Sequence, residues 1–404
     1  MTVAEPITAA VLQKLVAEFL AAHDPRAAAD GGARLDFLRA RFDAGLAWIH
    51  YPPGLGGLGA PRALQPVVDA EFAAAGAPDN RPGWNAIGLG MAAPTILRHG
   101  TDEQKHRFLR PLWTGEEIWC QLFSEPGAGS DLAGLATRAV RDDAGHDWRV
   151  SGQKVWTSLA HIARWAILVT RHDPNLPKHE GMTYFILDMH APGVEVRPLR
   201  QITGESEFNE VFLTDVRLPD SLRLGAVGEG WTVARSTLMN ERVSIGGGAI
   251  PREGGAIGVL ANLWRDRPDV RTPGRHDDVM RAWVDAEAAR LTATRFRQQL
   301  AAGEVGPDGS AVKLTFATLM QRIAGLELEM RGEESLRHED WDLGRGRDVP
   351  FLNRIAGYRY LRSKGNSIEG GTSEILRNII SERVLGLPSE PRSDKDIPWK
   401  DLPR

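Results

Sequence analysis

The chain is nearly without cysteine. Cys120 stands alone among 404 residues. A single thiol excludes an internal disulfide and a cysteine-rich metal site, so a reducing, cytoplasmic compartment is expected. The 11 histidines show no ligand spacing, and no metal site is expected. An excess of one charge is also lacking. A formal net charge of −4 offers neither a nucleic-acid face nor a polybasic membrane patch. No apolar run approaches the roughly 20 residues that span a bilayer. The N-terminal stretch "ITAAVLQKLVAEFLAAH" has no basic start and is interrupted by Lys14 and Glu18, which argues against a signal peptide. There is no G-x-S-x-G elbow, no arguable Ser/His/Asp set and no internal repeat.

What is present is the composition of a soluble globular protein, 42% apolar and 25% charged, in a chain long enough for two or three domains. Residues 1–118 read as helical: Leu12, Leu15, Val16 and Phe19 form one stripe, and Leu35, Leu38, Phe42 and Leu46 another. The stretch 101–115 reads as a helix capped by Thr101, with Asp102 and Glu103 in its first turn. Over 119–225 the period changes to two. "DWRVSGQKVW", "WAILVT", "MTYFILDM", "GVEVRPL" and "NEVFLTDVRLP" are short, rich in β-formers and separated by turn residues. Helical spacing returns over 226–387, and 388–404 is a polar, Pro-rich tail expected to run over the surface or across a partner chain. The order predicts an α+β multidomain fold. A helical domain is followed by a β-domain of barrel or sandwich type and a C-terminal domain resembling a four-helix bundle.

Two short stretches can carry chemistry. In "LFSEPGAGSDLAG" (122–134), Pro126 fixes one φ, while Gly127 and Gly129 permit unusual ones. Such a loop brings amides close to a planar or anionic ligand, with Ser124 and Ser130 as hydroxyl donors, or it is a plain turn. In "GQKVWTS" (152–158), Trp156 offers a flat face and Thr157 and Ser158 offer donors, or Trp156 fills the β-domain core.

Together with "EGGTSEILRNIISERVLGLP" near the C-terminus, "HGTDEQKHRFL" (99–109) and "GEGWTVARSTLMNERV" (228–243), these stretches resemble the acyl-CoA dehydrogenase family in order and spacing. The resemblance covers essentially the whole chain. It implies FAD between the β-domain and the C-terminal helices. Gln121, Phe123, Ser124 and Gly129 would lie along the flavin, and Ser130 near the substrate's pantetheine end. Trp156, Thr157 and Ser158 would lie at the ring around N5, and Thr372 and Glu374 would open a helix toward the cofactor. It implies α,β-dehydrogenation of an acyl-CoA thioester to the trans-2-enoyl-CoA and electron transfer to an electron-transfer flavoprotein. The assembly would be a homodimer or homotetramer, with a heterotetramer as alternative. A flavin oxidase or monooxygenase, and a non-catalytic chain of a hetero-oligomer, are the competing readings. One departure concerns the FAD pyrophosphate, which many relatives meet with an Arg and a Phe-Gly pair. Here 263–278 has no Phe-Gly, and Arg265, Arg267, Arg271 and Arg275 read as a solvated basic loop.

The reaction needs one desolvated carboxylate as base. Many relatives place it just before Gly-Thr-Ser, where this chain has Gly370. Glu369 falls one residue early, and the Gly370 amide remains available to the thioester oxygen. A second family pattern puts a Glu-Arg pair on the helix after the β-domain, which Glu241-Arg242 matches. Trp231, Ala234, Leu238, Glu241 and Ile245 fall at spacings of 3, 4, 3 and 4, so Glu241 lies on the apolar stripe of its helix, where burial raises a carboxyl pKa. Glu241 is therefore the expected base and a substrate contact, with Glu369 as alternative. Arg242 is read as structural, and glycines 246–248 as room for a branched or bulky acyl group.

Overall fold

Segments of period 3.6 and of period 2 fold into separate layers. A computed structural model describes residues 7–28, 31–80, 83–142, 145–246, 251–302, 306–338, 350–392 and 394–403, with the backbone alone at 242–246 and 301. The N-terminal helices are α1 (Ala9–Ala22), α2 (Gly31–Asp43), α3 (Gln65–Ala74), α4 (Ala93–His99) and α5 (Asp102–Thr114). Helix α5 begins as expected. Thr101 Oγ1 accepts from the Gln104 amide, and the Gln104 side chain accepts in return from the Thr101 amide, a full capping box.

Eight strands form the middle layer: β1 (Trp119–Leu122), β2 (Arg138–Arg141), β3 (Asp147–Ser158), β4 (Trp165–Arg171), β5 (Met182–Asp188), β6 (Val194–Pro198), β7 (Phe208–Pro219) and β8 (Arg223–Leu224). They form one sheet in the order β6-β7-β3-β2-β4-β5-β8, with β1 parallel to β4. Each expected strand is present, and β1, β2 and β8 join them. Strands β4 and β5 are mostly apolar and buried along almost their whole length because both of their faces are covered. Ile167, Val169, Tyr184 and Ile186 pack on Phe108, Leu109 and Leu112 of α5, whereas Ala166, Leu168, Phe185 and Leu187 pack with Trp148, Val150 and Val211. The sheet thus shares one core with the N-terminal helices.

Helix α6 (Gly230–Gly246) leaves the sheet and is followed by α7 (Ala256–Asp266), α8 (Pro273–Ala301), α9 (Gly309–Arg331), α10 (Ala356–Ser363) and α11 (Ser373–Ile379). Helix α9 touches all five of the others. No described helix is long and apolar enough to cross a membrane. The tail returns to its own β-domain. The Trp399 indole donates to the Gly134 carbonyl at 3.0 Å, and Arg171 lies 4.8 Å above the Trp399 ring.

Candidate active site

One wall of the site is the end of β3 with the 122–134 loop. The Val155 amide donates to the Ser124 carbonyl at 3.0 Å, which brings the two sequence motifs together. Beneath them lies an ion pair. Lys154 is fully buried and reaches the Glu125 carboxylate at 2.8 Å and the Phe123 carbonyl at 2.9 Å. Glu125 also accepts from the amides of Ala136 (2.7 Å) and Thr137 (2.9 Å). Burial pushes the Glu125 carboxyl up, but the Lys154 ammonium and these amides outweigh it and hold it below its ordinary value. Arg171 closes the far end of the loop on the carbonyls of Ala133 (2.5 Å), Leu135 (3.1 Å) and Lys178 (3.1 Å). The loop is therefore bolted down from inside.

The register of β3 against β7 shifts between Lys154 and Thr157. At this bulge Trp156 takes a left-handed backbone, φ 61°, and the residue is 57% exposed. A core role for Trp156 is thereby excluded, and a large flat face is presented at the surface beside Phe208, 6.0 Å away edge-on. A non-glycine residue held at positive φ is costly and persists only where the surrounding structure fixes it. Thr157 next to it is buried, and its Oγ1 has no hydrogen-bond partner among the described residues. A buried hydroxyl without a protein partner can take a hydrogen bond from a water or a ligand atom. Gly127 and Gly129 are exposed, and a Cβ at either would meet nothing within 4 Å. An exposed indole face, an orphaned hydroxyl and an open glycine loop fit a flavin. Gln121 and Ser158 are half-buried at the strand ends, and Ser124 is half-buried and Ser130 exposed on the loop. Phe123 turns its ring into the core, edge-on to Tyr184 at 5.8 Å, leaving its backbone for the loop.

The opposite wall is helical. The buried face of α6 is Gly230, Val233, Ala234 and Thr237, flanked by half-buried Trp231 and Leu238, and Glu241 continues it one turn on, half-buried. Thr237 fixes this helix to both other domains. Its hydroxyl meets Tyr184 Oη at 2.9 Å on β5 and Thr95 Oγ1 at 3.0 Å on α4. The side chains of Arg242 and Ile245, and the whole of Gly247 and Gly248, lie outside the described residues.

Glu369 and Glu241 are in different circumstances. Glu369 is gripped by Arg362 through two hydrogen bonds, 2.9 and 3.1 Å. Arg362 lies 5.9 Å above Phe208, so contacts run from Trp156 through Phe208 and Arg362 to Glu369 and join the two walls. Gly370 and Gly371 both adopt left-handed backbones, φ 64° and 93°. Thr372 then caps α11, its side chain accepting from the Ile375 amide. Glu374 is exposed and pairs with Arg377. Lys313 of α9, fully buried, donates to the Gly371 carbonyl at 2.7 Å. Burial pushes the Lys313 ammonium below its ordinary value, and Glu369, Glu241 and Glu374 oppose that shift, so the carboxylates and the lysine share one electrostatic neighbourhood.

The four arginines of 263–278 are engaged locally. Arg265 binds Glu253, Arg267 binds Asp269, Arg271 donates to the carbonyls of Trp264 and Arg265, and Arg275 donates to that of Val270. The domain contact that sequence reading missed is Glu205, which accepts from Arg354 at 2.6 Å and Tyr358 Oη at 2.7 Å across the sheet–helix boundary. Glu125, Lys154, Thr237 and Lys313 were missed as well. Lys154 occupies an inward strand position shared with Trp148 and Val150, and Lys313 lies on the buried stripe of Ser310 and Ala317. A charge on an apolar stripe is a readable signal.

Three domain descriptions of acyl-CoA dehydrogenases match the chain end to end: the N-terminal domain over residues 7–116, the middle domain over 120–216 and the C-terminal domain over 228–385. Among curated relatives, "Acyl-CoA dehydrogenase IpdE1" of Mycobacterium tuberculosis is 38% identical over 350 residues, 86% of each chain. "Acyl-CoA dehydrogenase FadE34" of the same organism is 43% identical over 352 residues, 86% of this chain and 45% of that protein, so the match spans less than half of FadE34. Among solved structures, "Tcur3481-Tcur3483 steroid ACAD" superposes with a TM-score of 0.69 at 26% identity, covering 96% of this chain and 100% of that one.

Proposed function

The chain belongs to the acyl-CoA dehydrogenase family, and from that premise we propose how its own residues carry out the reaction. It is an FAD-dependent oxidoreductase. Bound against Trp156 and the 122–134 loop, FAD supplies the acceptor for the hydride equivalent that leaves the β-carbon of an acyl-CoA. The Glu241 carboxylate takes the α-proton. The Gly370 amide donates to the thioester oxygen and stabilises its enolate character. Thr157 and Ser158 orient the cofactor edge, and the buried Lys154–Glu125 pair holds the loop rigid. Glu241 on the buried face of α6, with Glu369 already neutralised by Arg362, is the observation that carries this reading. The product is the trans-2-enoyl-CoA. An electron-transfer flavoprotein takes the electrons on, and the acyl group is bulky, a reading supported by likeness to a protein titled a steroid ACAD.

The test is anaerobic bleaching of the purified yellow protein with acyl-CoAs from octanoyl-CoA to steroid side-chain thioesters. Bleaching by the bulky members, abolished in Glu241→Gln with FAD content intact, is expected. Bleaching that survives in Glu241→Gln and disappears in Glu369→Gln overturns the assignment of the base. Stoichiometric hydrogen peroxide in air identifies an oxidase instead. A second reading, that this chain works beside a similar second chain, is favoured by the joined name of that steroid ACAD. The mass of the native assembly, and turnover by this chain alone, test it.

A further inference from the structure

The tail after residue 388 has no part in the reaction as derived above, yet it stands directly behind the 122–134 loop. The first part of that loop is fixed from inside, where Lys154 meets the Glu125 carboxylate and the Phe123 carbonyl. The part after Ser130 is held by two other buried cations, and the tail touches both. Lys178, in the connection between β4 and β5, reaches Asp131 at 2.8 Å and Asp394 of the tail at 2.7 Å. Arg392 pairs with Asp394 in turn at 3.2 Å, so base and acid alternate from the loop to the tail. Arg171 donates to the carbonyls of Ala133 and Leu135, and its guanidinium lies 4.8 Å from the centre of the Trp399 ring. Between those two carbonyls, that of Gly134 accepts from the Trp399 indole at 3.0 Å. Backbone bonds fasten the tail to the same β4–β5 connection: the amides of Trp399 and Lys400 donate to the carbonyls of Leu176 and Pro174 at 2.9 and 3.0 Å. Polar terminal segments fray unless they are tied down. This one is tied by side chains and backbone to one connection and one loop.

We propose that the tail is a strap for the substrate end of this loop, with Asp394 and Trp399 as positioning residues for acyl-CoA binding. This rests on the reading of Ser130 as a contact of the substrate's pantetheine. Gly127 and Gly129 leave the backbone before Ser130 conformationally permissive, so the place of Ser130 is set by what holds the residues after it. Lys178 and Arg171 supply that hold, and the tail steadies each of them. Asp394 keeps the Lys178 ammonium between two carboxylates, and Trp399 covers the Arg171 guanidinium with an aromatic face. The flavin end needs no strap, because Lys154 and Glu125 fix it from inside. The two ends of one loop are thus held separately, and damage to the tail reaches the substrate while sparing the cofactor.

The experiment uses the full-length, FAD-loaded protein with Trp399→Ala and Asp394→Asn. Two substrates are compared: the acyl-CoA that bleaches the flavin best, and the N-acetylcysteamine thioester of the same acyl group, which lacks the nucleotide and most of the pantetheine. With the acyl-CoA, Trp399→Ala is expected to raise KM about tenfold, the scale of one cation–π contact plus one hydrogen bond. Asp394→Asn is expected to raise it about threefold, as for a partly exposed ion pair. In both, kcat should stay within about twofold of wild type, the pattern of lost uniform binding, with FAD content unchanged. With the short thioester, kcat/KM should match wild type. Backbone hydrogen exchange without substrate should quicken at 131–135 in Trp399→Ala and keep the wild-type rate at 123–128. An unchanged KM in both variants, or unchanged exchange at 131–135, overturns the proposal. An equal fall in kcat/KM with both substrates, or release of FAD, also overturns it, since either reports general loosening. If Trp399→Ala does not fold, Asp394→Asn decides: a raised KM supports the strap and an unchanged one overturns it. A wild-type flavin that no acyl-CoA bleaches overturns the underlying reading, whereas a wild type that turns over and variants that match it overturn the strap alone.

Discussion

The two sides of the candidate site are built on opposite plans. The sheet wall is local: its loop, its exposed indole and the ion pair beneath them fall within residues 122–158, and the backbone hydrogen bond from Val155 to Ser124 closes them on one another. The helical wall is assembled from α6, α9 and the turn before α11, segments more than thirty residues apart in the chain, joined by single contacts such as Lys313 to Gly371. On the sheet side, buried charge is spent on shape, because Lys154 and Glu125 neutralise each other and fix a loop. On the helical side, the buried Lys313 is bonded to a backbone carbonyl, that of Gly371, and among the described residues to no carboxylate.

The largest expected effect tests that division at the chemistry. Glu241→Gln should lower kcat by ~10²–10⁴-fold, the range of general-base catalysis, with unchanged FAD content, whereas Glu369→Gln should cost less than about tenfold. Equal losses would erase the contrast between the carboxylates. Next, Lys154→Met strands the Glu125 charge in the interior. Chemical denaturation should show a loss of about 3–5 kcal/mol, as for other broken buried pairs, accompanied by release of FAD. A stable, yellow Lys154→Met protein would mean that the loop does not depend on its buried pair. Smaller still, Trp156→Ala removes one aromatic face. FAD affinity, followed by fluorescence on dilution, should fall about tenfold, at the upper end for aromatic stacking, with no shift in the acid limb of the rate profile. A shifted limb would show that the two walls are coupled.

The smallest effect asks whether stiffness extends along the sheet. Arg223, then Trp148, hold the Asp220 carboxyl down to about 2. A depressed carboxylate adds stability above its unfolded value of 3.8 and loses it as the pH falls through about 2. Asp220→Asn should therefore be less stable than wild type at pH 5 by at most about 1 kcal/mol, given solvent screening. The difference should close between pH 4 and pH 2 in thermal melts. A difference that persists at pH 2 would assign the loss to packing.

Legibility in the sequence followed the same divide. The strands were readable because alternation and β-branched residues are local signals, and even the doubly covered β4 and β5 were found from their apolar runs bounded by turn residues. β1, β2 and β8 were too short to declare a period. The residues expected at the cofactor sit in two compact motifs, and only the structure shows that Trp156 faces outward at a left-handed bulge while Phe123 faces in. Glu241 could be singled out by its place on a helical stripe. Its surroundings could not, because nothing in the spacing of α9 and the 367–374 turn states that Lys313 reaches Gly371 or that Arg362 holds Glu369. Glu205 with Arg354 and Tyr358 was hidden for the same reason: pairing across domains leaves no periodic trace. The tail was expected on a surface or on a partner, and Trp399 docks it on its own sheet.

The left-handed turn at Gly370 carries a consequence for how this fold can change. The resemblance places the proton acceptor of many relatives at the position that Gly370 occupies here, and Gly370→Glu would put a carboxylate there. The turn resists that exchange: a glutamate forced to φ 64° carries a strain of order 1–2 kcal/mol. An evolutionary path between the two placements would then have to reshape the backbone before moving the side chain, leaving intermediates with both acids or with neither. Such a barrier would keep each lineage faithful to the helix or the turn on which its acid first arose.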